Sequence, residues 1–183
     1  MIVNNIRIFA LLLMFFMFVG SGCSSSSVQQ YADNRPRFDL FEFFNGSVRG
    51  WGIVQDRSGT LLRQFVVDID GQIDAQGRLV LTEDFVWNDG ELSRRIWTIE
   101  QRDSLAYSGR ADDVIGVANG RAAGNALNWS YTLDLKVDGS SWDVVFDDWM
   151  FMQPNNVLIN RATMKKFGFR LGDITIAFIK GDI

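Results

Sequence analysis

The sequence predicts an all-β domain, an antiparallel, mostly up-and-down, calycin- or lipocalin-like barrel with a β-sandwich as the alternative. Three observations carry this. First, apolar residues alternate with polar ones in short runs from Phe38 onward. Second, turn-forming clusters separate the runs at Asp56-Arg57-Ser58-Gly59, Asn88-Asp89-Gly90, Asp138-Gly139-Ser140-Ser141 and Pro154-Asn155-Asn156. Third, glycines such as Gly50, Gly52, Gly109 and Gly120 fall inside strand-like stretches, where a barrel needs bulges and corners.

The N-terminus reads as an address. Arg7 precedes twelve apolar residues, Ile8 to Val19, which is short of the ~20 that a spanning helix needs. Residues 1–22 therefore read as a secretory signal peptide. Small residues lead into Cys23, the single cysteine of the chain, as in a bacterial lipobox, although Gly20 stands where leucine is usual. Cys23 is the expected lipid anchor. Ser24, in place of an aspartate, points by analogy to the periplasmic face of the outer membrane. Residues 23–37 are polar and aperiodic, which predicts a lipidated N-terminus on a flexible tether. Residues 38–183 are then the single barrel domain.

Composition excludes much chemistry. No histidine occurs, so Ser-His-Asp and Cys-His catalysis and most zinc sites are absent. One cysteine forms no intramolecular disulfide and no Cys-x-x-Cys pair. A net charge of −4 without a basic run argues against nucleic acid. No catalytic residue, cofactor or metal site is expected, and the protein is read as a non-enzyme.

The strand elements follow in order. Leu61, Phe65, Val67 and Ile69 alternate, as do Leu79, Leu81, Phe85 and Trp87. A three-residue turn at Asn88-Asp89-Gly90 pairs Trp87 with Glu91, and therefore Glu83 with Arg95 and Leu81 with Trp97. Glu83 and Arg95 thus fall on the apolar face as an expected ion pair. Trp129, Tyr131, Leu133 and Leu135 form the next run. A four-residue loop from Asp138 to Ser141 sets Tyr131 opposite Asp148, and one from Gln153 to Asn156 sets Asp148 opposite Arg161. A one-residue slip would send these side chains to the other face.

Inward charges cost several kcal/mol, by rough estimate, unless paired. Two readings follow. In one, Glu83–Arg95 and Asp148–Arg161 are satisfied pairs that fix register. In the other, they are a polar floor in an apolar cavity. Arg95 or Arg161 would then take the carboxylate or phosphate of an amphipathic ligand, while Trp97 and Trp129 hold its tail. Trp149 and Phe151 alternate to the outside as a patch for a partner or a membrane.

Other features carry less. Asp112-Asp113 and Asp147-Asp148 are adjacent on strands and point apart, so neither pair converges on a substrate. The glycine-rich stretch from Gly116 to Gly124 leads into no helix, which removes a phosphate-binding reading. Lys165-Lys166 reads as a solvated strand end.

Several motifs in order are similar to one family: Asn45 to Gly59, Glu83 to Gly90, Arg95-Ile96-Trp97, Gly124 to Tyr131, Phe146 to Met150, and Leu158-Ile159-Asn160-Arg161 through Gly172. The chain resembles, from about Asp39 to Lys180, the bacterial lipoprotein family catalogued as domain of unknown function 3833. The resemblance implies a secreted, lipid-anchored β domain of Gram-negative bacteria and carries over no catalytic residue.

The expected function is binding of a fatty acid or another amphipathic small molecule by a lipid-anchored periplasmic barrel at the membrane surface. The alternative is a structural or interaction lipoprotein of the envelope with a packed barrel and no ligand. The interior decides between them, because a small barrel is either filled by side chains or holds one small ligand.

Overall fold

The alternating runs form ten strands in the computed structural model of the chain, which describes residues 27–137 and 139–181. They are β1 (Gly46–Asp56), β2 (Leu61–Ile73), β3 (Leu79–Trp87), β4 (Leu92–Gln101), β5 (Ala106–Arg110), β6 (Ala118–Ala123), β7 (Ala126–Val137), β8 (Ser140–Gln153), β9 (Val157–Lys166) and β10 (Phe169–Lys180). Each pairs antiparallel with its sequence neighbours, and β1 closes on β10, giving the up-and-down barrel that the hairpin spacing predicts. The signal segment, Cys23 and the residues up to Ser26 lie outside the described part.

Ten strands rather than eight give a wider interior. Alternation then points one set of side chains inward on every strand. Val67, Ile69, Leu79, Leu81, Trp97, Ile99, Leu127 and Trp129 form most of the inner layer and are almost fully buried. Gly120 lies directly under the Trp129 ring and Gly52 under the Phe65 ring; a Cβ at either would collide with it. These glycines make room for large aromatic rings inside the wall, which is how the barrel carries them without overpacking.

The two ends differ. One is plugged by a short helix, α1 (Leu40–Phe44), which lies outside the sequence expectation because five residues are too few to show a helical period. Asp39 caps it, accepting from the Phe41 and Glu42 amides at 2.9 and 3.0 Å. Lys180 Nζ donates to the carbonyls of Phe43 and Asn45 at 3.1 and 2.7 Å. Gly71 admits the plug, since a Cβ there would land on the Phe44 carbonyl oxygen. Phe44 meets Phe178 edge-on at 5.8 Å.

The opposite end carries the β1–β2, β3–β4, β7–β8 and β9–β10 turns and is the mouth. Strands β5 and β6 stop short of it. Residues 111–117 take their place in the wall: Val114 bridges Leu133, and Asp113 O accepts from the Asp134 amide at 2.9 Å.

The polar stretch before the barrel is more ordered than its composition predicts. A 3-10 helix at Val28–Tyr31 lies on the outer wall. Tyr31 meets Trp149 and Phe151 edge-on at 5.9 and 5.3 Å. Phe38 N donates to Gly124 O at 2.8 Å. Two aromatic contacts and a backbone hydrogen bond thus lay this part of the expected tether against the domain.

Candidate functional site

The inner faces enclose a cavity of about 1030 Å³. Its floor is Leu40 and Phe44 of α1, and it opens between the hairpins at the mouth. The walls are mainly apolar: Phe85, Trp97, Trp129, Phe146 and Met150 line it, with Ala162, Ile174 and Ile176 on the far side. Trp97 packs edge-on to Trp129 at 5.8 Å and to Tyr131 at 5.4 Å, and Tyr131 stacks on Phe146 at 5.1 Å. This aromatic group is fixed before anything enters.

A polar group interrupts the apolar wall. It consists of Glu83 on β3, Arg95 on β4, Asp113 on the 111–117 segment, Tyr131 on β7, Asp148 on β8 and Asn160 on β9. Glu83 does stand opposite Arg95, as the three-residue turn predicts. The guanidinium nevertheless turns aside. Arg95 Nε and one Nη donate to the same oxygen of Asp113, at 3.0 and 2.7 Å. Among the described residues no ion pair joins Arg95 to Glu83. The expected Glu83–Arg95 pair is therefore corrected to Arg95–Asp113. Asp113 was invisible to hairpin counting because it sits on the irregular stretch that replaces β5 and β6.

The second expected pair is also corrected. The β8–β9 loop has three residues rather than four, with Gln153 opposite Val157. Asn155 and Asn156 take left-handed backbone angles, φ 63 and 58, which lets so short a loop close. The single-residue slip moves Arg161 opposite Trp149 and Asn160 to the inner face. Arg161 is exposed on the outer wall and donates to Asp173 at 3.0 Å. Arg170 and Thr163 also donate to Asp173, and these hydrogen bonds, Arg170's foremost, hold its carboxyl down at about 2. Arg161 thus contributes nothing to the cavity.

The β7–β8 turn is tighter than expected as well. Val137 faces Ser140, so Trp129 stands opposite Asp148 and Tyr131 opposite Phe146. This slip is of two residues, which preserves the face, and Tyr131 Oη still reaches Asp148 Oδ2 as a donor at 2.9 Å. Asp148 is 95% removed from solvent, and its other oxygen has no hydrogen-bond partner. One oxygen of Asp113 is likewise buried and unpartnered.

Burial dominates the electrostatics. It pushes the Glu83 carboxyl up to about 7, with Arg95 opposing and Asp113 and Asp148 reinforcing the rise. It pushes Asp148 up to about 6 against the hydrogen bond from Tyr131. The Tyr131 phenol is raised by burial and by Asp148. Burial opposes the charge on Arg95, but the neighbouring carboxylates outweigh it and raise its pKa. Three carboxyl groups thus share one guanidinium. Among the described residues no group of histidine, cysteine, aspartate or glutamate side chains is placed to hold a metal ion.

The family model described as "Protein of unknown function (DUF3833)" matches residues 17–180. The chain belongs to the DUF3833 family. No curated protein matches this DUF3833 chain. A solved structure from Nostoc punctiforme PCC 73102, a protein of unknown function from the DUF3598 family, is similar in fold. Its TM-score is 0.57 at 14% identity, over 85% of this chain and 52% of that one. The DUF3833 barrel therefore spans about half the length of that relative, and the likeness concerns the fold alone.

Proposed function

We propose that this DUF3833 protein binds the chain of an amphipathic small molecule inside its barrel, at a membrane surface. The observation that carries the reading is the cavity of about 1030 Å³, apolar along most of its wall, with one polar group inside and charged residues towards its mouth. That is at the upper limit of the size range of small-molecule sites, about 300–1,000 Å³, and the lining of such sites is also mostly apolar with a few fixed polar groups. A packed interior would have favoured a purely structural lipoprotein. The outer Trp149–Phe151 patch, the basis of that alternative, is covered by Tyr31 of the same chain.

The rim of the mouth supports the membrane part of the reading. Among the described residues, the three most exposed large apolar side chains, Phe167, Phe169 and Leu92, all sit there, at 89%, 76% and 74% exposure. Lys165, Lys166 and Arg170 flank the two phenylalanines, and Lys166 Nζ lies 3.7 Å from the Trp142 ring centroid. Apolar tips among cations suit an interface of anionic headgroups. Lipidation of Cys23 would keep the barrel at that surface, with the signal peptide removed and the protein on the periplasmic face of the outer membrane. Cys23→Ala would then leave the protein unprocessed or free of the membrane, as fractionation and mass measurement read out.

The test of binding is titration of the full chain with 1-dodecanol, read by the change in tryptophan emission, to which Trp97 and Trp129 of the cavity wall contribute. Saturable binding at one site is expected. Ala162→Trp, which places an indole in the cavity opposite Asp148, should abolish it while the chain remains folded. Unchanged affinity in that variant would show that the alcohol binds elsewhere.

A further inference from the structure

We infer that the polar group in the cavity wall selects a cationic headgroup, a protonated amine, in preference to a carboxylate or phosphate. The inference rests on the proposed binding of an apolar chain in the barrel and specifies what that chain must carry.

The charge inventory decides the sign. The cavity's polar group holds three carboxyls, Glu83, Asp113 and Asp148, against one guanidinium, Arg95. Arg95 is already committed, with two nitrogens on one oxygen of Asp113. Arg161, the other arginine that could have met an acid, faces outward. Arg63, Arg94 and Lys136 also line the cavity, towards its mouth, but each is already bound to a carboxylate: Asp89 and Glu91, Asp84, and Asp134. An anionic headgroup would enter beside two carboxyls with no unpaired cation among the described lining residues to receive it.

The acceptors, in contrast, lack donors. Asp148 is 95% buried with one oxygen unpartnered, and one oxygen of Asp113 is in the same state. Glu83 faces the same space without an ion-pair partner among the described residues. Buried acceptors without donors are costly and call for a partner. An ammonium group brings three donors and one positive charge, and supplies both deficits at once. The raised carboxyls of Glu83 and Asp148 fit this, since they are held partly neutral until a cation arrives.

Selectivity should therefore depend on pH. Arg95, Asp113, Tyr131 and Asp148 face Glu83, while Tyr131, Asn160 and Arg95 face Asp148; Asp147, its strand neighbour, acts on it from the outer face. Of these, Glu83 and Asp148 gain protons between about pH 7 and 5, and the site loses its negative charge as they do so. Amine affinity should fall over that interval, whereas alcohol affinity should not.

The experiment compares dodecylamine, 1-dodecanol and dodecanoic acid against the full chain at pH 8 and pH 5. At pH 8 the amine should bind about ten- to a hundredfold more tightly than the alcohol, the worth of one charge-assisted hydrogen bond. The acid should bind most weakly. At pH 5 the advantage of the amine should largely disappear. In the double variant Glu83→Gln, Asp148→Asn, with folding checked by its melting transition, the ratio of amine to alcohol affinity should approach one at both pH values. Equal binding of amine and alcohol by the native chain at pH 8 would overturn the inference, because water or protons would then satisfy the carboxyls; so would tightest binding of the acid. Either result leaves chain binding intact. Failure of all three probes to bind would overturn the reading of the cavity itself, and the headgroup inference with it.

Discussion

Arg95 gives two donors to one oxygen of Asp113 while Glu83, directly across the β3–β4 ladder, is left without it. The pair joins a regular strand to the 111–117 segment that fills the wall where β5 and β6 are short. It is therefore a latch on the weakest part of the barrel as well as the sole guanidinium of the cavity's polar group.

Replacing Arg95 by methionine should expose this double role. Removing one partner of a fully buried pair costs about 3–5 kcal/mol because the other charge is stranded; Arg95 and Asp113 are half-buried, so solvent screening brings the cost below that range. The loss should be large at pH 8, where three carboxyls face one another, and smaller at pH 5, where Glu83 and Asp148 hold protons. Thermal melting at the two pH values measures the difference; an equal loss at both would mean that Arg95 matters only by packing.

The stability of the native protein should itself fall as pH rises from about 4 to about 7. Glu83 and Asp148 have folded-state pKa values above their ordinary ones, so the folded chain binds more protons than the unfolded chain over that window. Glu83→Gln and Asp148→Asn should each flatten the fall and raise the melting temperature at pH 8. Asp173 acts in the opposite direction: held at about 2, it contributes stability above about pH 4 that is lost as the pH drops towards 2. Denaturant unfolding across pH 2 to 9 should thus show a maximum on the acid side of neutrality.

Tyr31→Ala should free the arm from the outer wall. The ring's two edge-on contacts are worth about 0.5–1.5 kcal/mol each beyond their buried area. Limited proteolysis should then cut between Val28 and Arg37 at a rate well above that of the native chain, while the barrel persists. Resistance equal to the native chain's would place the holding contacts elsewhere, as at the Phe38–Gly124 hydrogen bond.

At the rim, Phe167→Asp with Phe169→Asp should reduce binding to vesicles containing anionic lipid by about tenfold or more, since apolar burial at an interface is worth ~25 cal/mol per Å². Both side chains are exposed, so the melting temperature should hardly change. Vesicle flotation of the native chain and the variant measures the effect, and equal flotation would remove the rim from the account.

The barrel was legible because alternation and turn chemistry are local signals, and each hairpin joins sequence neighbours. Glu83, Arg95 and Trp97 were placed correctly because Asn88-Asp89-Gly90 forms the three-residue turn that its glycine dictates, with φ 88 at Gly90. Arg161 was misplaced because the β8–β9 loop closes through two consecutive left-handed asparagines, one residue sooner than Gln153 to Asn156 suggests. Asn160 was hidden behind the same error. Tyr131 and Asp148 survived a two-residue slip because the period of a strand is two. Asp113 had no local signal: its role depends on two strands ending early and on a side chain that crosses to Arg95. The α1 plug was equally silent, since its anchoring rests on Gly71 and Lys180, far away in the chain.

The most direct test of the hollow, chain-binding barrel is a crystal structure of the protein grown with 12-bromo-1-dodecanol, read by anomalous scattering from bromine. One bromine peak is expected inside the barrel, within the cavity bounded by Trp97, Trp129 and the α1 floor. An interior filled by side chains, or bromine found solely on the outer wall, would contradict it.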